Sequence, residues 1–277
     1  MHFPPRAAAL VLCALVLPST LVAAQPYSHA RRAEQTEAAS PGEQAFQLSL
    51  GDGLTQRLLY TAPARPMATL VMLPGGGGNV GVERDGDPRH DDNFVVRTRA
   101  QWAALGYAVV IPDTIDRANL RGLRSSPAYA ALIGRLVAFA HAQARAPVFL
   151  IGTSQGAIAA MNGAAHAAPG SIAGVVLSES VSRMGHSGET VFSADPGAVR
   201  VPALVVANRD DQCDVAPPED APKIAAAMTG SPDVRVLYVA GGIARSAKAC
   251  GSLSPHGYYG IEGAVIGLID SWMRARI

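Results

Sequence analysis

Cysteine, aromatic residues and an excess of charge of either sign are all scarce in this sequence of 277 residues. Three cysteines are too few for a small fold held by several disulfides, and too few for a cysteine-rich zinc site. A formal net charge of +1 and an aromatic content of 5% argue against a basic, base-stacking surface for nucleic acid. Hydrophobic residues reach 49%, which excludes a disordered chain and predicts a large buried core.

The first 24 residues have the pattern of a secretory signal peptide. Arg6 is the only charged residue before position 31, and an unbroken apolar run follows it from Ala7 to Leu17. This run is too short to span a bilayer, and small residues precede a suitable cleavage point after Ala24. We therefore expect an exported protein, periplasmic or extracellular. No later apolar run approaches about 18 residues, so we expect no membrane span after cleavage.

Beyond the predicted signal peptide, residues 25–44 are expected to form a flexible lead-in and residues 45–277 a single α/β domain. Short apolar runs rich in β-branched residues predict eight strands. They cover residues 45–50, 56–61, 69–73, 108–111, 147–151, 174–177, 203–207 and 234–239. Helical periodicity covers residues 95–104, 127–142, 155–167, 218–228 and 258–274. The first two strands read as a hairpin, and the later alternation predicts a doubly wound, mostly parallel sheet with helices on both faces.

The motif Gly152-Thr-Ser154-Gln-Gly156 follows an apolar strand and precedes an Ala-rich helix. In this context the pattern Gly-x-Ser-x-Gly is typical of a sharp strand-to-helix turn that exposes a nucleophilic serine. The two glycines leave room for the backbone segments that cross closely there. Ser154 is therefore the predicted nucleophile, at the carboxyl edge of the sheet.

Four consecutive glycines, from Gly75 to Gly78, follow the third predicted strand. Backbone N–H groups in such a turn can bind phosphate, but a P-loop also needs a Gly-Lys-Ser/Thr ending that is missing here. We favour an oxyanion hole, in which the N–H of Gln155 acts together with one of these glycines.

A nucleophilic serine requires a general base and an acid that orients the base. Asp211 follows the seventh predicted strand and is the favoured acid, with Asp210 and Asp214 as close competitors. Glu179, just after the sixth strand, is a further alternative. His256 lies in the last long loop, before the C-terminal helix, and is the predicted base.

No metal or cofactor is predicted. His90 lies among four aspartates in residues 85–92, but their spacing lacks the bidentate acid that closes a calcium-binding loop. We interpret this segment as a solvated polar loop.

The order Ser154, Asp211, His256 on successive strand ends resembles the α/β-hydrolase superfamily, and the match extends from about Leu70 to Arg274. Many members carry His-Gly after the third strand, whereas this chain has Pro-Gly. That departure leaves the oxyanion donor open between Gly76 and Gly77. A large cap usually occupies the interval between the sixth and seventh strands, which is short here. The resemblance therefore implies an open site, with residues 81–94 as one wall.

The resemblance implies acyl transfer from a small-molecule acyl substrate to water. A secreted serine esterase is the first reading. A serine peptidase or amidase on the same fold is the second, and a non-catalytic binding protein on this scaffold is the third and is disfavoured because all three triad positions are filled.

Two cysteines remain after the predicted signal peptide. Cys213 is two residues beyond Asp211, and Cys250 is six residues before His256. In an exported protein two cysteines can pair. We predict a disulfide that joins the loop of the acid to the loop of the base.

Overall fold

The computed structural model describes residues 42–51 and 53–277. The predicted signal peptide and most of the predicted lead-in lie outside the described residues. The first strand begins one residue before its predicted start, because Gln44 already pairs with Tyr60 in the first hairpin. Within the described ranges, no helix combines the length and the apolar character needed to cross a membrane.

The part of the chain that the structure describes forms one sheet of eight strands. They are β1 Gln44–Gly51, β2 Leu54–Thr61, β3 Ala68–Leu73, β4 Tyr107–Pro112, β5 Val148–Thr153, β6 Gly174–Ser178, β7 Ala203–Asn208 and β8 Val234–Val239. Their order across the sheet is β1-β2-β4-β3-β5-β6-β7-β8. β1 and β2 form the predicted antiparallel hairpin, and β2 pairs antiparallel with β4. The other six strands run parallel, so their carboxyl ends lie on one edge.

Within residues 42–51 and 53–277, six α-helices cover the two faces of this sheet. They are α1 Phe94–Arg97, α2 Arg99–Ala104, α3 Pro127–Gln143, α4 Gln155–Ala165, α5 Ala221–Ala227 and α6 Glu262–Arg274. α3, α4 and α5 pack on one face, and α1, α2 and α6 pack on the other. The predicted doubly wound architecture is therefore confirmed.

The central strands are buried on both faces, which explains their continuous apolar sequences. Every residue of β3 and β5 is buried. Successive side chains alternate between the two helical layers, with Val71 and Leu150 in one core and Leu70 and Phe149 in the other. Each such burial contributes about 1.5–3 kcal/mol to folding. These strands therefore form a rigid platform for the loops at their carboxyl ends.

The helices predicted over residues 95–104 and 258–274 differ most from those in the structure. The helix predicted over residues 95–104 is divided at Thr98, whose hydroxyl donates to the Phe94 carbonyl at 2.7 Å. The helix predicted from residue 258 begins at Glu262 instead. Tyr258 and Gly260 have φ values of 56° and 88°, which is left-handed backbone that a helix cannot continue. His256 consequently lies in a separate turn of 3-10 helix.

Candidate active site

Ser154 lies on a strained turn between β5 and α4. Its φ and ψ are 54° and −123°, a conformation that L-residues rarely adopt. A Cβ atom on Gly152 would lie 2.2 Å from the Gly156 carbonyl oxygen, and one on Gly156 would lie 2.0 Å from the Leu73 carbonyl oxygen. Only glycine fits at either position, so the two glycines permit the turn that presents Ser154 at the strand edge.

The structure brings together the three side chains predicted as a triad. Ser154 Oγ lies 2.9 Å from His256 Nε2, and His256 Nδ1 lies 2.7 Å from Asp211 Oδ2. Asp211 and His256 are 5% and 3% exposed. Burial from water strengthens the electrostatic coupling between these two groups. The arrangement allows a proton to pass from the serine hydroxyl to the imidazole.

Further hydrogen bonds hold Asp211 and His256 in place. The Asp211 Oδ1 atom accepts a hydrogen bond from the Cys213 N–H at 2.8 Å, which leaves Oδ2 for the imidazole. The His256 N–H donates to the Ser254 hydroxyl at 3.2 Å. Asn208, at the end of β7, donates through Nδ2 to the carbonyl oxygens of Gly241 and Pro255, each at 2.9 Å. Asn208 therefore ties the acid-bearing strand to the loop of the base.

The three acids considered as alternatives to Asp211 lie in different environments. Asp210 is exposed and accepts a hydrogen bond from the Gly241 N–H at 2.6 Å, and Asp214 is also exposed. Glu179, by contrast, is 1% exposed and lies beside Asp211. Of the four acids, Asp211 is the one whose carboxylate meets the His256 ring nitrogen.

The predicted disulfide between Cys213 and Cys250 is present, with a Cα–Cα distance of 4.6 Å. Cys213 is buried on the loop that carries Asp211, and Cys250 lines the cavity in front of Ser154. The bridge therefore connects the acid loop to the loop that carries His256.

Replacing both cysteines by alanine is expected to lower the free energy of unfolding by about 3–4 kcal/mol, because the bridge closes a long loop in the unfolded chain. The two cysteines are 37 positions apart. Guanidinium unfolding of the variant and of the oxidised protein measures the difference. Dithiothreitol should shift the unfolding midpoint of the native protein and leave that of the variant unchanged. Equal midpoints for the variant and the oxidised protein would contradict the prediction.

The glycine-rich turn after β3 approaches the nucleophile closely. A Cβ atom on Gly75 would lie 2.9 Å from the Thr153 carbonyl oxygen and 3.1 Å from Ser154 Cβ. Gly76 has a φ of 58° and lines a cavity of about 60 Å³ together with Ser154 and His256.

Gly76 and Gly77 have different surroundings. A Cβ atom on Gly77 would lie 3.4 Å from the Asn119 side chain, away from the residues that line the small cavity. The Gly77 carbonyl accepts a hydrogen bond from the Leu120 N–H at 3.0 Å. These contacts favour Gly76 over Gly77 as the partner of Gln155 in the predicted oxyanion hole.

Buried charged side chains that the sequence analysis missed support this turn. Arg124 is 1% exposed, and its Nη2 donates to the Pro74 carbonyl at 3.1 Å. Glu189 is 2% exposed and accepts hydrogen bonds from three backbone N–H groups and one hydroxyl of residues 122–125. Ser187 accepts a hydrogen bond from the Gln155 amide and donates to the Glu189 carbonyl. The segment between β6 and β7 thus braces the glycine turn and the residue after the nucleophile.

No periodic or spacing signal in the sequence singles out Arg124 or Glu189. Their partners are backbone groups far away in the chain, and such pairings depend on the tertiary fold.

A larger cavity of about 460 Å³ shares Gly76, Asn93 and Ser252 with the small one. Residues 89–93 form one of its sides, as predicted for the loop 81–94. The lining is mainly backbone of the glycine turn and polar side chains. The larger cavity therefore opens beside the small cavity at Ser154.

No family model and no curated protein matches the chain. Several solved structures are similar to it. The dienelactone hydrolase of Anabaena variabilis is 20% identical, covers 86% of this chain and 100% of its own, and gives a TM-score of 0.59. Est1E of Butyrivibrio proteoclasticus, solved with ferulic acid, is 12% identical over 84% and 99% of the two chains, with a TM-score of 0.58. The acylaminoacyl peptidase of Pyrococcus horikoshii is 13% identical over 84% and 41%, with a TM-score of 0.57.

Together with the strand order, these likenesses show that the chain has the α/β-hydrolase fold, as predicted.

Proposed function

We propose that this protein is a serine hydrolase that cleaves a carboxylic ester through an acyl-enzyme intermediate. The observation that carries the proposal is the continuous chain of contacts from Ser154 Oγ to His256 and from His256 to Asp211. A serine hydroxyl is a weak nucleophile, and a base within hydrogen-bond distance activates it.

In the acylation step, Ser154 Oγ attacks the ester carbonyl carbon as its proton moves to His256 Nε2. Asp211 accepts the hydrogen bond from Nδ1–H and stabilises the imidazolium that forms. The N–H groups of Gln155 and Gly76 donate to the developing oxyanion, and one such donor typically contributes about 3 kcal/mol to lowering the barrier. His256 then passes its proton to the alcohol oxygen as the carbon–oxygen bond breaks.

In the deacylation step, water attacks the acyl carbon while His256 takes one of its protons. The bond to Ser154 Oγ breaks, the serine regains a proton from His256, and the carboxylic acid leaves. The same three side chains therefore act in both halves of the reaction.

We favour ester cleavage because of how much of each neighbour's length this chain covers. The dienelactone hydrolase and Est1E are covered almost over their whole lengths, whereas this chain covers 41% of the acylaminoacyl peptidase. Amide cleavage is the second candidate, since the same triad serves both reactions.

A fluorophosphonate probe tests the serine chemistry. We expect one covalent adduct on Ser154, found by peptide mass spectrometry, and faster turnover of p-nitrophenyl esters than of aminoacyl-nitroanilides. An unlabelled Ser154 in folded protein would defeat the proposal, and preferential anilide cleavage would favour the amidase.

Export is part of the same proposal. It is supported by the predicted signal peptide and by the disulfide, a bond that persists in oxidising compartments. Intact mass of the exported, labelled protein should place its N-terminus at Gln25, and an uncleaved N-terminus would contradict the prediction.

A further inference from the structure

A second carboxyl group is buried beside the Asp211–His256 pair. Glu179 follows β6 with a φ of 42°, and its Oε1 accepts a hydrogen bond from the Asn208 N–H at 2.7 Å. Its Oε2 is buried and has no hydrogen-bond donor among the described residues. Ligating atoms of Glu179, Asp211 and His256 all lie within 4.8 Å of one another.

Two buried carboxylates in contact cannot both keep their negative charge, because repulsion and the loss of water raise the energy of the second charge. Burial first, and then the Asp211 carboxylate, raise the pKa of Glu179 well above its ordinary value. The titratable groups that face Glu179 are the Asp211 carboxyl, the His256 imidazole and the Tyr258 hydroxyl. The Tyr258 hydroxyl is uncharged, since burial and the nearby acids raise its pKa as well.

The hydrogen-bond donors decide which acid carries the charge. Asp211 faces the imidazole N–H at 2.7 Å and the Cys213 N–H at 2.8 Å, and both stabilise a carboxylate. Glu179 accepts one backbone N–H, from Asn208, while the neighbouring Tyr258 hydroxyl donates to the Val206 carbonyl at 3.2 Å. A proton on Glu179 Oε2 also gives this otherwise orphaned atom an acceptor, because Asp211 lies within hydrogen-bond reach.

We propose that Glu179 is a positioning residue that stays protonated at neutral pH and donates a hydrogen bond from Oε2 to Asp211. The proposal rests on the serine-hydrolase function proposed above. The donated bond holds the Asp211 carboxylate in the plane that meets His256 Nδ1. It also spreads the single negative charge over two carboxyl groups, so that the acidic limb of the pH profile of kcat lies lower than it would with Asp211 alone.

Glu179→Gln and Glu179→Met separate this role from the alternatives. The glutamine amide can donate to Asp211 while its oxygen still accepts from Asn208. For Glu179→Gln we expect kcat within about threefold of wild type. The acidic limb of its pH profile should lie within about 0.3 pH unit of the wild-type limb. Methionine fills the space without a donor. For Glu179→Met we expect about a tenfold loss of kcat, the size expected for one lost polar contact, with little change in KM. Its acidic limb should lie about 1 pH unit above the wild-type limb.

Asp220→Asn is the matched control, because Asp220 is a carboxylate 3% exposed at the start of α5, outside the site. Its replacement should lower Tm and leave the limb in place. A limb that moves about 1 pH unit lower in Glu179→Gln would overturn the proposal, since it would mean that Glu179 is ionised. Wild-type limbs in both Glu179 variants would also overturn it, because they would indicate a merely structural role.

Proton NMR of the His256 ring provides a readout that does not need turnover. The low-field resonance of the His256 Nδ1 proton, which reports the hydrogen bond to Asp211, should be the same in wild type and Glu179→Gln and should move in Glu179→Met. A wild-type protein that hydrolyses no ester would defeat the proposed function, whereas this resonance would still decide the role of Glu179. If Glu179→Met does not fold, Glu179→Ala, which also lacks the donor, takes its place, and a wild-type resonance in it would overturn the proposal.

Discussion

Replacement of Ser154 by alanine is expected to lower kcat/KM for a p-nitrophenyl ester roughly 10⁴–10⁶-fold, because it removes the nucleophile and leaves the rest of the site in place. Among the described residues, Ser154 Oγ makes one hydrogen bond, to His256 Nε2, so its loss should change stability by only about 1 kcal/mol. Alanine has the same Cβ as serine, and the strained φ of 54° therefore costs both residues a similar amount.

Initial rates and thermal unfolding of the purified Ser154→Ala protein measure the two effects. Ser271→Ala is a suitable control, since Ser271 is an exposed serine on α6 whose hydroxyl donates to a carbonyl of its own helix. That control should hydrolyse the ester at the wild-type rate. Turnover near the wild-type rate by folded Ser154→Ala protein would defeat the proposed mechanism.

Replacement of Asp211 by asparagine is expected to lower kcat about 10³–10⁴-fold with the fold retained. Asp211 Oδ1 accepts the Cys213 N–H, so the amide oxygen of an asparagine would take that place and its NH₂ group would face His256 Nδ1. The imidazole would then carry its proton on Nε2, where it cannot accept the proton of Ser154.

Asp210→Asn and Asp214→Asn are matched controls, because both are exposed acids on the same turn. Each should retain kcat within about fivefold of wild type. The pH dependence of kcat for all three variants, with circular dichroism as a check of folding, completes the experiment. A large loss in either control, with normal turnover by Asp211→Asn, would reassign the orienting acid.

The local patterns around the strands predicted much of the site. Gly152 and Gly156 around Ser154 are informative because the turn they flank excludes every larger side chain. The apolar runs predicted the parallel strands, and parallel strands bring the loops after β5 and β7 to one edge of a sheet. The sequence alone therefore predicts that Ser154 and Asp211 lie near each other.

Several choices depended on distances that no local pattern encodes. Three aspartates lie within five residues of one another after β7, and only the turn geometry places Asp211, rather than Asp210 or Asp214, against His256.

The spacing of apolar runs and the motif from Gly152 to Gly156 were sufficient by themselves to predict a mostly parallel α/β sheet with a serine at a strand-to-helix turn. These features are local, since they depend on backbone sterics and on which side chains avoid water. Only the tertiary structure decided that Gly76 rather than Gly77 lines the cavity at Ser154, and that Glu179 is buried against Asp211. Such outcomes depend on contacts between distant segments, and the protonation of a buried acid depends on every group that surrounds it.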